Sequence, residues 1–572
     1  MWVRMHVLTH ESCTHKAPRL RQRRRLALSG PGLPALRGAP MAGSAASAPG
    51  KRKRQRSGAP AGPGAYARQL ADATGLGLEP PPPLAPLRAA APGRARLTAR
   101  PRPAEPLPDS LRGALLPAFV ARAAASLPAR VWAAICSHVD APAEGPVTLT
   151  FGTACSGSEF YLTAMPLVAA EISARLGREV RFVHLWSCEL DPQKRQWIVD
   201  NFAPPKLFGD ITALAQATCH DYVSGASAAV DAVDFVIAGT SCKDASRLNP
   251  HHVQRLDAVE TGAHTTGGTF KGFAQLVAKF GLRCRLVVLE NVASLRDRDP
   301  RTGRSNFDGV CDAVRSLGFG FVSAEFSARD VGLPVARPRL YMSGVRCADE
   351  REAQRLAHEV LGHIFRSACP VALDALLLPE GAPRLTMRDW MREGLARESA
   401  QRLGVEEEGL WPQQHRRFWA DVPPAVLAQL APQYEANPWF HTLPHRQRDL
   451  LLLTACQNAA SRRRPLAIPL NTSLTFGGPG SPTCLPTLVP TGVLWLVGRG
   501  RPLLGVEAVR LQGCDPASLP GLGPETHDSA FLIDLAGNAF CVYQFCSWFF
   551  AALATSDMVS RDVERFGAGR GT

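Results

Sequence analysis

The residues that could do chemistry in this sequence are one thiol, one carboxyl group and a pair of guanidinium groups. Cys242 follows the run Val233-Asp234-Phe235-Val236-Ile237-Ala238-Gly239-Thr240-Ser241. A thiolate at the end of such a run is a candidate nucleophile. Glu290 comes directly after Leu286-Val287-Val288-Leu289. Partial burial there raises a carboxyl pKa, so that the group can donate a proton near neutral pH. Arg337 and Arg339 flank Pro338 at strand spacing, and two fixed guanidinium groups can hold a phosphate and a carbonyl oxygen. Each residue also has a plain structural reading: a packed thiol, an arginine-paired core carboxylate, ordinary surface arginines.

A second set suits a nucleoside. Gly152 and Gly157 bracket a turn after an apolar run, where backbone and ligand can approach closely. The spacing is not that of the dinucleotide fingerprint. Glu189, in Cys188-Glu189-Leu190-Asp191-Pro192, can accept hydrogen bonds from both ribose hydroxyls. Asp210, in Phe208-Gly209-Asp210-Ile211, can bind an adenine amino group. Taken singly, these carboxylates read equally well as a helix cap and a turn aspartate.

Positioning such groups takes a sheet. Val147–Phe151, Val180–Ser187, the short segment ending at Asp210, the strand before Cys242, Leu286–Val292, Phe321–Phe326 and Leu340–Val345 read as strands separated by helical segments. Val, Phe and Ile without alternating polarity suit strands covered on both faces. The pattern predicts an α/β fold with a parallel, doubly wound sheet, whose ligands lie beyond the carboxyl ends of the strands. Gly239 is expected to let a ligand come close.

In this order the motifs resemble those of the cytosine-C5 DNA methyltransferase family. Ser241-Cys242 corresponds to its Pro-Cys nucleophile, Glu290-Asn291-Val292 to its Glu-Asn-Val, and Val335-Ala336-Arg337-Pro338-Arg339 to its Gln-x-Arg-x-Arg. Glu507-Ala508-Val509-Arg510-Leu511-Gln512-Gly513 is similar to its late helix, and Gly537-Asn538 to its closing Gly-Asn. The sequence departs from the family at three places. Ser241 replaces a proline, Val335 replaces a glutamine, and Cys155-Ser156-Gly157-Ser158-Glu159 lacks the aromatic and second glycine of the family's Phe-x-Gly-x-Gly turn.

The resemblance implies a Rossmann-like methyltransferase domain using S-adenosyl-L-methionine, held by Cys155, Gly157, Glu189, Leu190, Asp210, Ile211 and Asn538. It implies addition of Cys242 to C6 of a flipped-out cytosine. Glu290 would sit on N3 and the exocyclic amine, Arg339 on the O2 carbonyl and Arg337 on a flanking phosphate. Double-stranded DNA is the implied partner, and a smaller inserted domain is the implied site of target recognition. A transfer-RNA cytosine methyltransferase, or a catalytically weak DNA-binding homologue, are the competing expectations. A nicotinamide oxidoreductase leaves Glu290 without a role.

Composition bounds the rest. The net charge of +15 is concentrated in residues 1–104, which hold 19 of the 65 lysines and arginines against Glu11, Asp72 and Glu79. The remainder is close to neutral, so a nucleic-acid groove there must be a local patch. The basic leader, with Lys51-Arg52-Lys53-Arg54-Gln55-Arg56, is expected to be disordered and to address the nucleus, or alternatively a plastid or mitochondrion. None of the 15 cysteines forms a C-x-x-C pair, so no metal is expected. The apolar run Phe540–Ala554 is too short to span a bilayer, and no membrane association is expected. The expected boundaries are 1–104 leader, 105–146 helical lead-in, 147–346 catalytic domain, 347–500 target-recognition domain, 501–556 return of the catalytic domain and 557–572 tail. Residues 243–270, with Gly262, Gly267 and Gly268, are expected to form a mobile loop able to close over the base.

Overall fold

The computed structural model describes residues 114–140, 145–382 and 410–559, apart from Ser156, Pro250, 473–480 and 523–527. The basic leader lies outside the described residues.

The apolar runs become the strands of a seven-stranded sheet: β1 Val147–Ala154, β2 Val180–Cys188, β3 Lys206–Phe208, β4 Phe235–Ala238, β5 Leu286–Val292, β6 Gly320–Ser327 and β7 Pro338–Val345. Their order is β3-β2-β1-β4-β5-β7-β6. The continuous apolar character of β4 has the expected cause. Phe235 and Ile237 pack into the hydrophobic cluster on one face, while Val236 and Ala238 pack into the cluster on the other.

The sheet is not wholly parallel. β7 runs antiparallel to both β5 and β6. Only a short 3-10 turn, Ala328–Val331, and a few extended residues join β6 to β7. That connection is too short for a crossover helix, so the chain folds back as a hairpin.

Register carries the functional consequence. Phe208 pairs with Cys188, Cys188 with Ala154, Ala154 with Ala238, Ala238 with Leu289 and Leu289 with Met342. The next residue along each parallel strand is Gly209, Glu189, Cys155, Gly239 or Glu290. Chemistry-bearing positions from five segments therefore share one edge of the sheet.

The helix Val542–Thr555 is buried along its whole length and packs beneath the sheet with the helices Glu350–Ser367 and Ala129–Val139. Among the described residues, Ser529–Thr555 meets the length and hydropathy of a membrane span, but 72% of its most apolar window is buried. It reads as a core element. The lead-in consists of two helices, Leu115–Ser126 and Ala129–Val139, broken where Pro128 starts the second. The Glu350–Ser367 helix also joins the α/β body. Glu350 accepts from Phe321 N (3.0 Å) and pairs with Arg315 (2.5 Å).

Beyond it, the helices Leu410–Trp419, Pro424–Glu435 and His445–Ala460 are followed by a small antiparallel sheet of Ala467–Pro469, Leu494–Leu496 and Arg501–Pro502. Arg501 then reaches back to Glu507 at 2.6 Å, both side chains buried, where the helix Gly505–Leu511 re-enters the body.

Candidate active site

Cys242 lies just beyond β4, half-buried. The end of β4 is fixed from β5: Asn291 Nδ2 donates to Thr240 O at 3.0 Å. The next link replaces the proline of the resembled motif. Ser241 N donates to Thr269 Oγ1 at 3.1 Å, and Ser241 Oγ accepts from Lys243 N at 3.3 Å. A proline has no N–H and could make neither bond. The serine thus ties the nucleophile's neighbour to the helix His264–Phe280.

Glu290 faces Arg339, with Oε1 2.9 Å from Nε and both side chains largely buried. Burial raises the Glu290 carboxyl pKa, and Arg339 and Arg337 pull against it. Burial also raises the Cys242 thiol, helped by Glu290 and opposed by the two arginines. The thiol, the carboxyl and Arg339 therefore form one electrostatic unit.

Arg337 does not fit the phosphate role expected of it. It is 1% exposed, and its guanidinium donates to Leu488 O (3.0 Å), Gly537 O (3.1 Å) and Ala539 O (2.6 Å). Burial lowers its pKa to about 10, with Arg339 adding to the shift. A guanidinium committed to three carbonyls clamps the start of β7 to the returning segment. Arg337→Met is expected to lower unfolding stability by about 3–5 kcal/mol, seen as a drop in Tm, because those carbonyls lose their donors.

The nucleoside set gathers at the neighbouring strand ends. Cys155 N donates to Cys188 O, and Glu189 N to Phe208 O. Burial raises the Cys155 thiol pKa, with Glu189 and Asp210 contributing. Glu189 is largely buried, its Oε1 accepts from Asp191 N at 2.9 Å, and burial raises its pKa. Leu190 projects outward, 69% exposed, while Ile211 is buried. Asp210 Oδ1 caps the short helix Ile211–Ala213 through Thr212 N. Gly157 adopts a left-handed backbone, and a Cβ there would lie 3.5 Å from Asn538 Cβ, which brings the first turn and the closing motif together. Gly239 serves a different approach from the one expected. A Cβ on it would sit 2.7 Å from Cys155 O and 2.8 Å from Phe540 Cε1, so what it admits is the first turn, not a ligand.

Glu159, where the resembled turn has its second glycine, was missed as a site residue. Its backbone keeps a left-handed φ of 56°, and its carboxylate is fully buried. It accepts from Thr153 Oγ1, and from Ser187 Oγ at 3.1 Å. His184 Nε2 lies 3.2 Å from Ser187 Oγ, and burial lowers its pKa to about 4. The replaced glycine itself was the available signal. Glu159→Ala is expected to cost about 1–3 kcal/mol in urea denaturation, since two buried hydroxyls lose their acceptor.

The loop after Cys242 is anchored more firmly than expected. Asp244, buried, pairs with Arg255 and accepts from Thr266 N at 2.7 Å. Gly267 and Gly268 lie inside the helix His264–Phe280. A Cβ at Gly267 would fall 2.0 Å from Ala258 O, so this glycine permits close packing. Residues 243–263 carry only a 3-10 turn, His252–Gln254, and a one-turn helix, Ala258–Thr261, with Leu248 and Val253 exposed.

A family model described as C-5 cytosine-specific DNA methylase matches residues 171–373. DNA (cytosine-5-)-methyltransferase DMT5 of Cryptococcus neoformans var. grubii is 29% identical over 426 residues, covering 71% of this chain and 17% of the relative. The protein of the same name from Verticillium dahliae is 21% identical over 477 residues, covering 70% and 19%. The chain thus spans under a fifth of the length of these curated relatives. Among solved structures, Dnmt2 methyltransferase of S. pombe overlays with a TM-score of 0.36 at 12% identity, over 71% of this chain and 98% of that one. A score that low carries no weight beside the strand order itself. The segment matched by the C-5 cytosine-specific DNA methylase model holds Cys242, Glu290 and Arg339.

Proposed function

We propose that this protein transfers a methyl group from S-adenosyl-L-methionine to C5 of cytosine in double-stranded DNA. The observation that carries the reading is the Cys242, Glu290 and Arg339 unit on the same sheet edge as Glu189 and the Gly157 turn. The residues fit the cofactor. A buried carboxylate suits ribose hydroxyls, exposed Leu190 offers an apolar surface beside it, and the left-handed Gly157 leaves room against Asn538. Cys155, Asp210 and Ile211 would complete that binding set. When bound, the cofactor supplies an electrophilic methyl group.

The protein's own residues do the rest. Cytosine C5 is a poor nucleophile, and addition of Cys242 Sγ to C6 makes the ring an enamine. Glu290 delivers a proton to N3 as electrons move into the ring, and Arg339 stabilises the O2 carbonyl. Loss of the C5 proton to solvent and return of the N3 proton to Glu290 let Cys242 leave as thiolate, releasing 5-methylcytosine. Arg337 acts at one remove by fixing the strand that carries Arg339.

The base must leave the duplex stack, at a cost of a few kcal/mol. We assign DNA contact and target choice to the unit spanning the 410–460 helices and the small sheet. Residues 410–500 contain eight arginines and three acidic residues, and Arg462, Arg463 and Arg464 are all exposed. Nuclear action, suggested by the basic leader, belongs to the same proposal.

Duplex DNA carrying 5-fluorocytosine blocks loss of the C5 substituent and should trap a covalent complex. The test is a gel shift that survives denaturation and requires both cofactor and Cys242. Methyl incorporation into transfer RNA and not into duplex DNA would overturn the substrate assignment.

A further inference from the structure

We propose that Tyr222 and Arg195 form a stacked pair that positions the Glu189–Leu190 turn for the cofactor's nucleoside. This deepens the reading above and rests on it.

Tyr222 follows the first strand of a hairpin, Cys219–Asp221 with Ala226–Ala228. The hairpin is fastened to the edge of the main sheet. Tyr222 N donates to Leu207 O at 2.7 Å, and Leu207 N donates to Asp221 Oδ1 at 2.9 Å. Asp221 is buried and also accepts from Val223 N (3.0 Å) and Ser224 Oγ (2.6 Å), so the turn is held by its own aspartate.

That anchoring places the ring between two cofactor turns. On one side it lies against Gly209, where a Cβ would approach its Cε2 to 3.1 Å, immediately before Asp210. On the other, Arg195 Cζ stands 3.9 Å from the ring centroid. The Arg195 Nη1 donates to Leu190 O at 2.6 Å and to Glu189 O at 3.1 Å. Leu190 projects into solvent, so packing of its side chain does not hold this turn. The backbone bond of Glu189 N to Phe208 O and the Asp191 N bond to Glu189 Oε1 hold its inner side; the carbonyl bonds from Arg195 hold its outer side, and the tyrosine face orients the guanidinium that makes them. A lysine would lose the flat stacking of a guanidinium on the ring and keep only a point-charge contact.

Calorimetric titration of the full chain with S-adenosyl-L-homocysteine tests this directly, without turnover. Tyr222→Ala is expected to weaken binding about two- to fivefold, and Arg195→Lys to do the same in direction. Tyr222→Phe keeps the ring face and should restore affinity to within about twofold, as expected of a stacking contact. In steady-state assays the loss should appear in KM for the cofactor, with kcat at saturation little changed. Wild-type affinity in both Tyr222→Ala and Arg195→Lys would overturn the proposal, as would a fall in melting temperature alone. If Tyr222→Ala does not fold, Arg195→Lys decides the matter. Glu189→Ala separates the two levels. Lost binding there beside unchanged binding in the stack variants removes only this proposal. Unchanged binding in Glu189→Ala removes the cofactor-site reading itself.

Discussion

Cys242→Ala is expected to abolish the proposed methyl transfer, with kcat/KM falling by at least about 10⁴-fold, as removal of an essential nucleophile does elsewhere. In the proposed mechanism the thiol forms the bond to C6; Cys541 also feels Arg337 and Arg339, but it is fully buried, whereas Cys242 is only half-buried and is influenced by Glu290 as well. Calorimetry with S-adenosyl-L-homocysteine should show cofactor affinity within about threefold of the parent chain, since the cofactor turns rest on β1, β2 and β3. Radiolabelled methyl incorporation into duplex DNA is the measurement. Retained turnover in a folded, cofactor-binding Cys242→Ala protein would remove the mechanism entirely.

Glu290→Gln should lower kcat by about 10²–10⁴-fold, the usual span for a general acid. The amide keeps the side chain's size but cannot deliver a proton to N3. Its pH profile should change shape as well as height. Burial raises both the Glu290 carboxyl and the Cys242 thiol, and the Glu290 charge raises the thiol further. The resting form with thiol and carboxylate holds the same number of protons as the reactive form with thiolate and carboxylic acid. Between the two pKa values the rate is therefore flat; it falls below the carboxyl pKa and above the thiol pKa. In Glu290→Gln only the thiol titrates. Its rate should climb about tenfold per pH unit until that titration is complete, because only the thiolate fraction reacts. A plateau retained in Glu290→Gln would show that another group supplies the acid.

Much of this site could be read from the sequence, because strand ends in an open sheet announce themselves. Four apolar residues leading into Glu290, and another run ending just before Cys242, place both groups on the carboxyl edge. What the sequence concealed depended on contacts between distant segments. Arg337 looks like a ligand-binding arginine until Leu488, Gly537 and Ala539 bring their carbonyls to it from 150 or more residues away. The antiparallel β7 follows from a connection length whose meaning depends on where the neighbouring strand lies. The part of the 243–270 expectation that failed did so because a glycine can mark helix packing as readily as a hinge. The basic leader and its address lie outside the described residues, and the boundary near residue 347 falls just before a helix that packs on the sheet.

The shared register of the strand ends has a further consequence for how this protein can change. Side chains alternate between sheet faces, so deleting a single residue inside β1, β2, β4 or β5 would send that strand's terminal group to the wrong side. Swapping one aliphatic side chain for another of similar bulk leaves the alignment intact. Sequence drift in these strands should therefore be generous in letter and strict in count, with insertions and deletions confined to the far end of the sheet or to the connecting helices.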